Sequence, residues 1–188
     1  TPGPNNVMLM TSGLNFGVNK SLPHLFGVCL GFPSMVVMVG LGLGVIFAQY
    51  PVLHDVIKVL GIVYLIYLAW QIAHAKKTSL SSKVSSPFTF IQAALFQWVN
   101  PKAWVMASTT IAVYTSAAAD VLYQMLLLAV AFALIGFCSG STWLFLGRGL
   151  RPFLPSDTHQ ILFNRVMATL LVASVFPAIY EMGFRLLV

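Results

Sequence analysis

Two short polar segments hold the residues whose types and spacing could do chemistry. The first, from Thr1 to Asn6, reads Thr-Pro-Gly-Pro-Asn-Asn, and the second, from Val99 to Trp104, reads Val-Asn-Pro-Lys-Ala-Trp. Asparagine oxygens can accept from the ammonium of a zwitterion, and the Lys102 ammonium can bind its carboxylate. No nucleophile–base set and no paired carboxylates accompany them. The two segments therefore predict binding of a small solute, and we expect no enzymatic activity.

The rest of the chain, which must position these two segments, consists largely of apolar residues. The chain has 188 residues, of which 59% are apolar and only 7% charged, and its mean hydropathy is +0.88. A soluble domain has about 25% charged residues, so most of this chain must lie in lipid. Proline and glycine in both segments interrupt a helix. Lipid cannot satisfy the backbone groups that an interruption frees, so such breaks line a cavity, and paired breaks indicate a transporter's binding site.

Composition excludes several other classes of protein. The net charge of +6 is too scattered to predict nucleic-acid binding, and it fits basic cytoplasmic loops. The four histidines have no partner four residues away and no cysteine nearby, so no metal site is predicted. No cofactor motif is present. Cys29 and Cys138 lie in apolar runs and are interpreted as small packing residues, not as a disulfide.

Hydropathy predicts an all-α, polytopic protein with six spans. The first is a half-helix ending near Gly17, and because a span needs about 20 apolar residues, we expect upstream residues to complete it. A polar loop at 76–87 separates the third span from the fourth. The remaining spans are expected at about 25–53, 56–73, 88–114 (interrupted at Asn100 and Pro101), 121–147 and 161–187.

Basic residues predict which side of the membrane each loop occupies. Under alternation of the six spans, seven of them fall on one side: Lys20, Lys76, Lys77, Lys83, Arg148, Arg151 and Arg165. The other side has two, Lys58 and Arg185, together with Asp55, Asp120 and Glu181. The excess of lysine and arginine predicts that the first side is cytoplasmic and that both termini are external.

The two halves of the chain resemble each other. Gly31–Ser34 reads Gly-Phe-Pro-Ser and Gly136–Ser139 reads Gly-Phe-Cys-Ser, and each half contains one break. Three spans per half predict inverted repeats within one transmembrane domain (1–188), with repeat one at about 1–75 and repeat two at about 88–188. So few identities also fit chance, and the prediction depends on the breaks. Four glycine pairs spaced by four residues, beginning at Gly13, Gly27, Gly40 and Gly136, predict close packing of helices within the chain, while a homodimer stays open.

The breaks suggest how a carboxylate would be held. Pro4 and Pro101 suit the first position of a helix, and Asn100 suits the N-cap of the second half-helix. Inverted repeats would point both N-termini, with their partial positive charge, at the middle of the membrane. Lys102 lies about 14 residues into its span, roughly 21 Å at the helical rise. Candidate binding residues are Pro4, Asn5, Asn6, Gln97, Asn100, Pro101 and Lys102.

Structural roles compete with binding for each candidate. Lys102 either contacts the substrate or only forms hydrogen bonds to the carbonyl groups beside the break. The asparagines accept from the substrate ammonium or satisfy local backbone, and Gln97, a weaker candidate, bonds to the substrate or to a neighbouring helix. Trp98 and Trp104 flank the second break and either wall the cavity or pack against lipid.

Several motifs together resemble the lysine-exporter (LysE/RhtB) superfamily of amino-acid exporters. They are the opening Thr-Pro-Gly-Pro-Asn-Asn, Gly13-x-Asn-x-Gly17, Leu22-x-His24-x-x-Gly27, and the run from Phe90 to Lys102 with its Phe-Gln-x-Val-Asn-Pro-Lys end. The resemblance covers the whole chain and implies a multi-pass bacterial inner-membrane protein that exports amino acids using an ion gradient. Phe96–Asn100 is most similar to exporters of neutral amino acids, of the threonine, homoserine, leucine or cysteine/O-acetylserine kind.

The expected partners are an amino-acid substrate, the lipid bilayer and a coupling ion. We expect a proton, although no acidic residue lies clearly at mid-membrane to bind one. A channel in which the breaks form a re-entrant filter is the alternative, and a membrane-embedded enzyme is a poorer third. Saturable transport that depends on a counter-ion would indicate an exporter, whereas single-channel current would indicate a channel.

Overall fold

The fold is built of helices throughout the part of the chain that the structure describes. This computed structural model describes residues 3–74, 86–116, 119–154 and 156–187, excepting the side chains at 47, 48, 51, 54 and 181–187. No strand occurs within these ranges, which confirms the all-α prediction. Positions 76–85 of the predicted loop lie outside the described residues.

Eight α-helices follow one another along the chain. Their bounds are α1 Pro4–Phe16, α2 Val18–Met38, α3 Gly44–Gln49, α4 Pro51–His74, α5 Phe90–Val99, α6 Pro101–Tyr114, α7 Val121–Leu150 and α8 Asp157–Leu187. Four stretches are long and apolar enough to cross a bilayer: Val18–Ile46, Asp55–His74, Val121–Phe153 and Asp157–Tyr180. The six-span arrangement stays a prediction, because α1, α5 and α6 are each shorter than a span.

The second predicted span, 25–53, differs most from the observed helices. The helix already begins at Val18, directly after Gly17, whose φ of 80° separates it from α1. A π-helical turn, Val39–Leu43, then joins α2 to α3, and Gly42 there has a φ of 126°. Both values lie in the region that glycine adopts without steric cost. Hydropathy does not detect such bends, because the side chains around them are equally apolar.

Glycines bring two pairs of helices into close parallel contact. A Cβ at Gly140 would lie 3.2 Å from Leu9 Cδ1, and one at Gly13, further along α1, would meet the carbonyl of Leu144, which joins α1 to α7. Gly27 approaches Phe90 in the same way, and Gly31 approaches Ala94 four residues further along α5, which joins α2 to α5. The predicted close packing through glycine is therefore confirmed at Gly13, Gly27 and Gly31.

The helix pair α2 and α7 runs antiparallel, and α4 packs on α8. The rings of Phe26 and Phe137 lie 6.0 Å apart, and those of Phe32 and Phe132 lie 5.1 Å apart, further along α2 but earlier on α7. In the predicted repeats, helices α1, α2 and α4 of the first half correspond to α5, α7 and α8 of the second half. The α1–α7 contact then corresponds to the α5–α2 contact, and the contacts α2–α7 and α4–α8 each join two corresponding helices. The four largest helix contacts thus correspond between the halves, whereas the α1–α2 contact has no counterpart of similar size between α5 and α7.

Gly61 on α4 offers a test of this packing. A Cβ at Gly61 would collide with the carbonyl oxygen of Val99, the last residue of α5. Backbone cannot move away as a side chain can, so Gly61→Ala should destabilise the protein by about 1–3 kcal/mol. Gly149→Ala is the matched control, because no atom lies within 4 Å of a Cβ there. Thermal unfolding in detergent should give a lower midpoint for the first variant only, and equal midpoints would contradict the observed contact.

Candidate functional site

The second break is built by the local chemistry of Asn100 and Pro101. Helix α5 begins with a capping box between Thr89 and Gln92 and ends at Val99. Asn100 is extended, with φ −86° and ψ 108°, and its Oδ1 accepts from the backbone N–H of Lys102 at 3.2 Å. Pro101 is the first residue of α6. These observations confirm the predicted N-cap and the predicted place of this proline.

The carbonyl groups beside the break find new donors. The Gln97 carbonyl accepts from the backbone N–H of Asn100 at 3.3 Å, since Pro101 has no N–H to offer. The Trp98 carbonyl accepts from the indole Nε1–H of Trp104 at 2.7 Å. Trp104 is buried and also borders a cavity, as one of its two predicted roles requires. Because Gly61 has no side chain, α4 can also lie close to the Val99 carbonyl.

The first break meets the second one. Pro4 is the first residue of α1, as predicted, and extended Gly3 precedes it. A Cβ at Gly3 would lie 2.8 Å from the Lys102 Nζ, so the lysine side chain passes directly over this glycine. The α1 N-terminus and the Lys102 ammonium therefore share one small space, although 99 positions separate Gly3 from Lys102.

A cavity of about 280 Å³ opens at this meeting point. Five of the seven candidate residues border it, namely Pro4, Asn5, Asn6, Asn100 and Lys102, and Gln97 and Pro101 do not. Helices α2 and α7 supply the opposite walls, including Cys29, Phe32, Pro33, Gly136 and Ser139. The two segments that resemble each other, Gly31–Ser34 and Gly136–Ser139, thus both reach the cavity. Their similarity was the only sequence signal for these walls.

Gln97 lies outside the cavity and holds Asn5 in position by hydrogen bonds. Its side chain is fully buried and forms two hydrogen bonds with Asn5. Asn5 Nδ2 donates to Gln97 Oε1 at 2.8 Å, and Gln97 Nε2 donates to Asn5 Oδ1 at 3.1 Å. Gln97 Nε2 also donates to the Ala93 carbonyl at 2.9 Å. The pair joins α1 to α5 and orients Asn5 at the edge of the cavity.

Lys102 also borders a second, larger cavity. This space of about 630 Å³ lies among α4, α6 and α8, and its polar lining includes Lys58, Lys102, Ser108, Thr109 and Ser174. Lys102 is the one charged residue common to both linings among the described side chains. It therefore stands in the wall between the two spaces.

The electrostatics of the first cavity favour an anion. A helix N-terminus has a partial positive charge. At α6 the first N–H group, that of Lys102, already donates to Asn100 Oδ1, so this helix start contributes through its dipole. Here the starts of α1 and α6 come together with the Lys102 ammonium. No acidic side chain borders either cavity among the residues described. Three positive groups around one neutral space can bind a carboxylate.

Replacing the prolines tests the importance of the breaks. Pro101→Ala restores an N–H that can bond to the Gln97 carbonyl, so α5 should run into α6 and move Lys102. Pro4→Ala should have a smaller effect, since the extended Gly3 that precedes it is unchanged. Transport should fall in the order parent, Pro4→Ala, Pro101→Ala, while membrane insertion on an immunoblot stays equal. Unchanged transport in both variants would show that the prolines are incidental.

Long apolar helices around a cavity that two helix starts and a lysine border define a multi-pass membrane protein. The family model for LysE type translocators matches residues 1–180. The chain belongs to the LysE family, as its motifs had indicated.

Curated relatives have more specific names. Cysteine/O-acetylserine efflux proteins of Escherichia coli (strain K12), of Escherichia coli O1:K1 / APEC and of Shigella flexneri are each 27% identical to this chain over 175 residues. The match covers 92% of this chain and 87% of each relative. No solved structure matches the chain. These relatives are transporters, which agrees with the expectation that the chain is not an enzyme.

Proposed function

We propose that this protein exports amino acids or close derivatives across the bacterial inner membrane. The observation that carries the proposal is the single cavity bordered by both broken-helix starts and Lys102. The substrate carboxylate binds among these positive groups, and the side-chain oxygens of Asn6 and Asn100 face its ammonium. Membership of the LysE family supports export as the direction of transport.

The substrate is a small neutral amino acid of the cysteine or O-acetylserine kind. Two observations support this class. The curated relatives bear that name, and a cavity of about 280 Å³ is smaller than the roughly 300–1,000 Å³ that hold drug-sized ligands. Phe32 and Met106 give one side of the cavity an apolar surface, which suits a thiol or an acetyl group. No acidic side chain among the described lining residues would attract a cationic substrate such as lysine.

Transport proceeds by alternating access between two inverted repeats. The corresponding helix contacts of the two halves support the repeats, as do the parallel pairs α1–α7 and α2–α5. Under the orientation that the basic residues predict, the larger cavity faces outward. Lys102 lies between the two cavities. It therefore stays bound to the carboxylate while the repeats rotate against each other and the substrate moves from the first cavity to the second. A proton gradient drives the cycle.

The test is a resistance and efflux panel. Cells that overproduce the protein should survive toxic concentrations of cysteine and release it faster than cells with an empty vector. The same comparison with lysine is the control, and we expect no protection there. Purified protein in vesicles should show saturable transport of O-acetylserine and no single-channel current. Protection against no amino acid, or discrete channel currents, would contradict the exporter.

A further inference from the structure

A buried histidine lies at the opposite end of α1 from the cavity. His24, on α2, is 1% exposed, and its Nδ1 lies 2.9 Å from the Ser12 Oγ of α1. Its ring packs against Phe88, with centroids 5.3 Å apart. An ionisable side chain inside a membrane protein is costly to bury and is by default a candidate for function.

Two buried polar atoms on α2 have no hydrogen-bond partner within the described ranges. They are His24 Nε2 and Ser21 Oγ, one helical turn apart on α2. Such atoms are rare in native proteins and require an explanation. A cavity of about 80 Å³ borders His24, and its polar lining includes Thr11, Ser12, Asn15 and Gln71. The rest of the lining is apolar, but the volume exceeds the share of about 30 Å³ that one molecule has in liquid water, so a water bound to the polar side chains fits.

Water at this place would come from the cytoplasm. The small cavity lies where α1 and α4 end and where α2 and the segment leading into α5 begin. The basic residues predict that these helix ends are cytoplasmic. The His24 ring thus lies near the cytoplasmic ends of these helices and away from the middle of the membrane.

His24 is the one titratable side chain among the described residues that line this cavity. On α1 the facing residues are the neutral Thr11, Ser12 and Asn15, and on α4 they include the neutral Gln71. Basic residues on the helices around this site are exposed and do not line the cavity: Lys20 on α2, Arg148 on α7 and Arg165 on α8. No carboxylate faces the ring among the residues of this lining that the structure describes.

Helix α1 connects His24 to the substrate cavity. Asn5 and Asn6 border that cavity at the start of the helix, and Ser12 contacts His24 two turns later. Seven residues at the helical rise give about 10 Å between Asn5 and Ser12. A proton at Nε2 places a positive charge beside α1 and leaves the bond between Nδ1 and Ser12 in place. Helix α1 is therefore the element that the His24 site and the substrate cavity share.

We propose that His24 binds and releases the coupling proton of the export cycle, an inference that rests on the proposed function. A proton adds to Nε2 of the neutral ring, whose Nδ1–H donates to Ser12, and gives an imidazolium with N–H groups at both nitrogens. The ring takes up this proton when the protein is open to the outside and releases it from Nε2 when the protein is open to the cytoplasm, which restores the neutral ring. One proton therefore enters the cytoplasm in each cycle.

The experiment compares parent protein with His24→Asn in vesicles. Asparagine retains a polar atom near the Nδ1 position, so the bond to Ser12 can persist, but it does not titrate. Exchange of labelled for unlabelled O-acetylserine without a pH gradient should remain close to that of the parent. Accumulation driven by an imposed pH gradient, and the proton movement that a trapped pH dye reports, should both be lost. Proton-coupled accumulation that persists in His24→Asn would overturn the proposal.

Two further variants separate coupling from folding. His159→Gln is the matched control, because His159 forms the same kind of bond to a serine, Ser156, at 2.8 Å, but on the exposed surface; it should keep coupled transport. Ser12→Ala removes the partner of His24 but leaves the ring, and it should also keep the proton movement. If Ser12→Ala and His24→Asn lose exchange equally, the His24–Ser12 bond is structural and the proposal is wrong. A parent protein without exchange would instead contradict the proposed function itself.

Discussion

Replacing Lys102 with glutamine is expected to remove most export while leaving membrane insertion unchanged. The ammonium lies against Gly3 at the start of α1 and borders both cavities, so it should contact the carboxylate in either state. A hydrogen bond to a charged group contributes about 1.5–3 kcal/mol, which corresponds to binding weakened about 10- to 150-fold. Lys102→Arg should retain only part of the activity, because guanidinium and ammonium differ in shape and hydration.

Lys58→Gln is the matched control for Lys102→Gln. Lys58 borders the larger cavity only, so its removal should reduce export much less. Binding of O-acetylserine should then be compared with binding of its methyl ester, which has no free carboxylate. The parent should prefer the free acid, and Lys102→Gln should lose that preference. A preference that survives in Lys102→Gln would show that the lysine is structural and that the carboxylate is bound elsewhere.

Gly136→Val is expected to block transport by filling the first cavity. Gly136 borders this space, and no atom lies within 4 Å of a Cβ built there. The larger side chain therefore enters the cavity without a clash with neighbouring helices, and the fold should persist. Export of O-acetylserine should fall sharply, whereas smaller substrates such as alanine should be affected less. The measurement is the initial rate of transport in vesicles for both substrates.

Gly149→Val on the same helix separates occlusion from a general effect of valine. Gly149 also has open space around a Cβ, but it borders none of the three cavities described here. This variant should transport at the rate of the parent. Equal loss in both variants would indicate that α7 requires glycine for another reason. Full activity of Gly136→Val would show that the substrate does not occupy this cavity.

Features that depend on neighbours in sequence could be predicted without a structure. Hydropathy predicted the helical membrane protein, since long uncharged runs must lie in lipid. The starts of α1 and α6 followed from Pro4 and Pro101, and the N-cap followed from Asn100, because the chemistry of a helix start is confined to about one turn. The motifs around these positions also indicated the LysE family, which the family model confirms.

Contacts between distant residues were decided by the tertiary structure alone. A membrane helix is apolar all round, so no periodic pattern shows which face points inward. The sequence therefore could not show that Gln97 lies outside the cavity and forms hydrogen bonds with Asn5. The approach of Lys102 to Gly3, the walls from α2 and α7, and the Ser12–His24 pair likewise required the helices to be packed. Sequence determined where the helices start and break, and packing determined what each break faces, because rotation about a helix axis is set only by its neighbours.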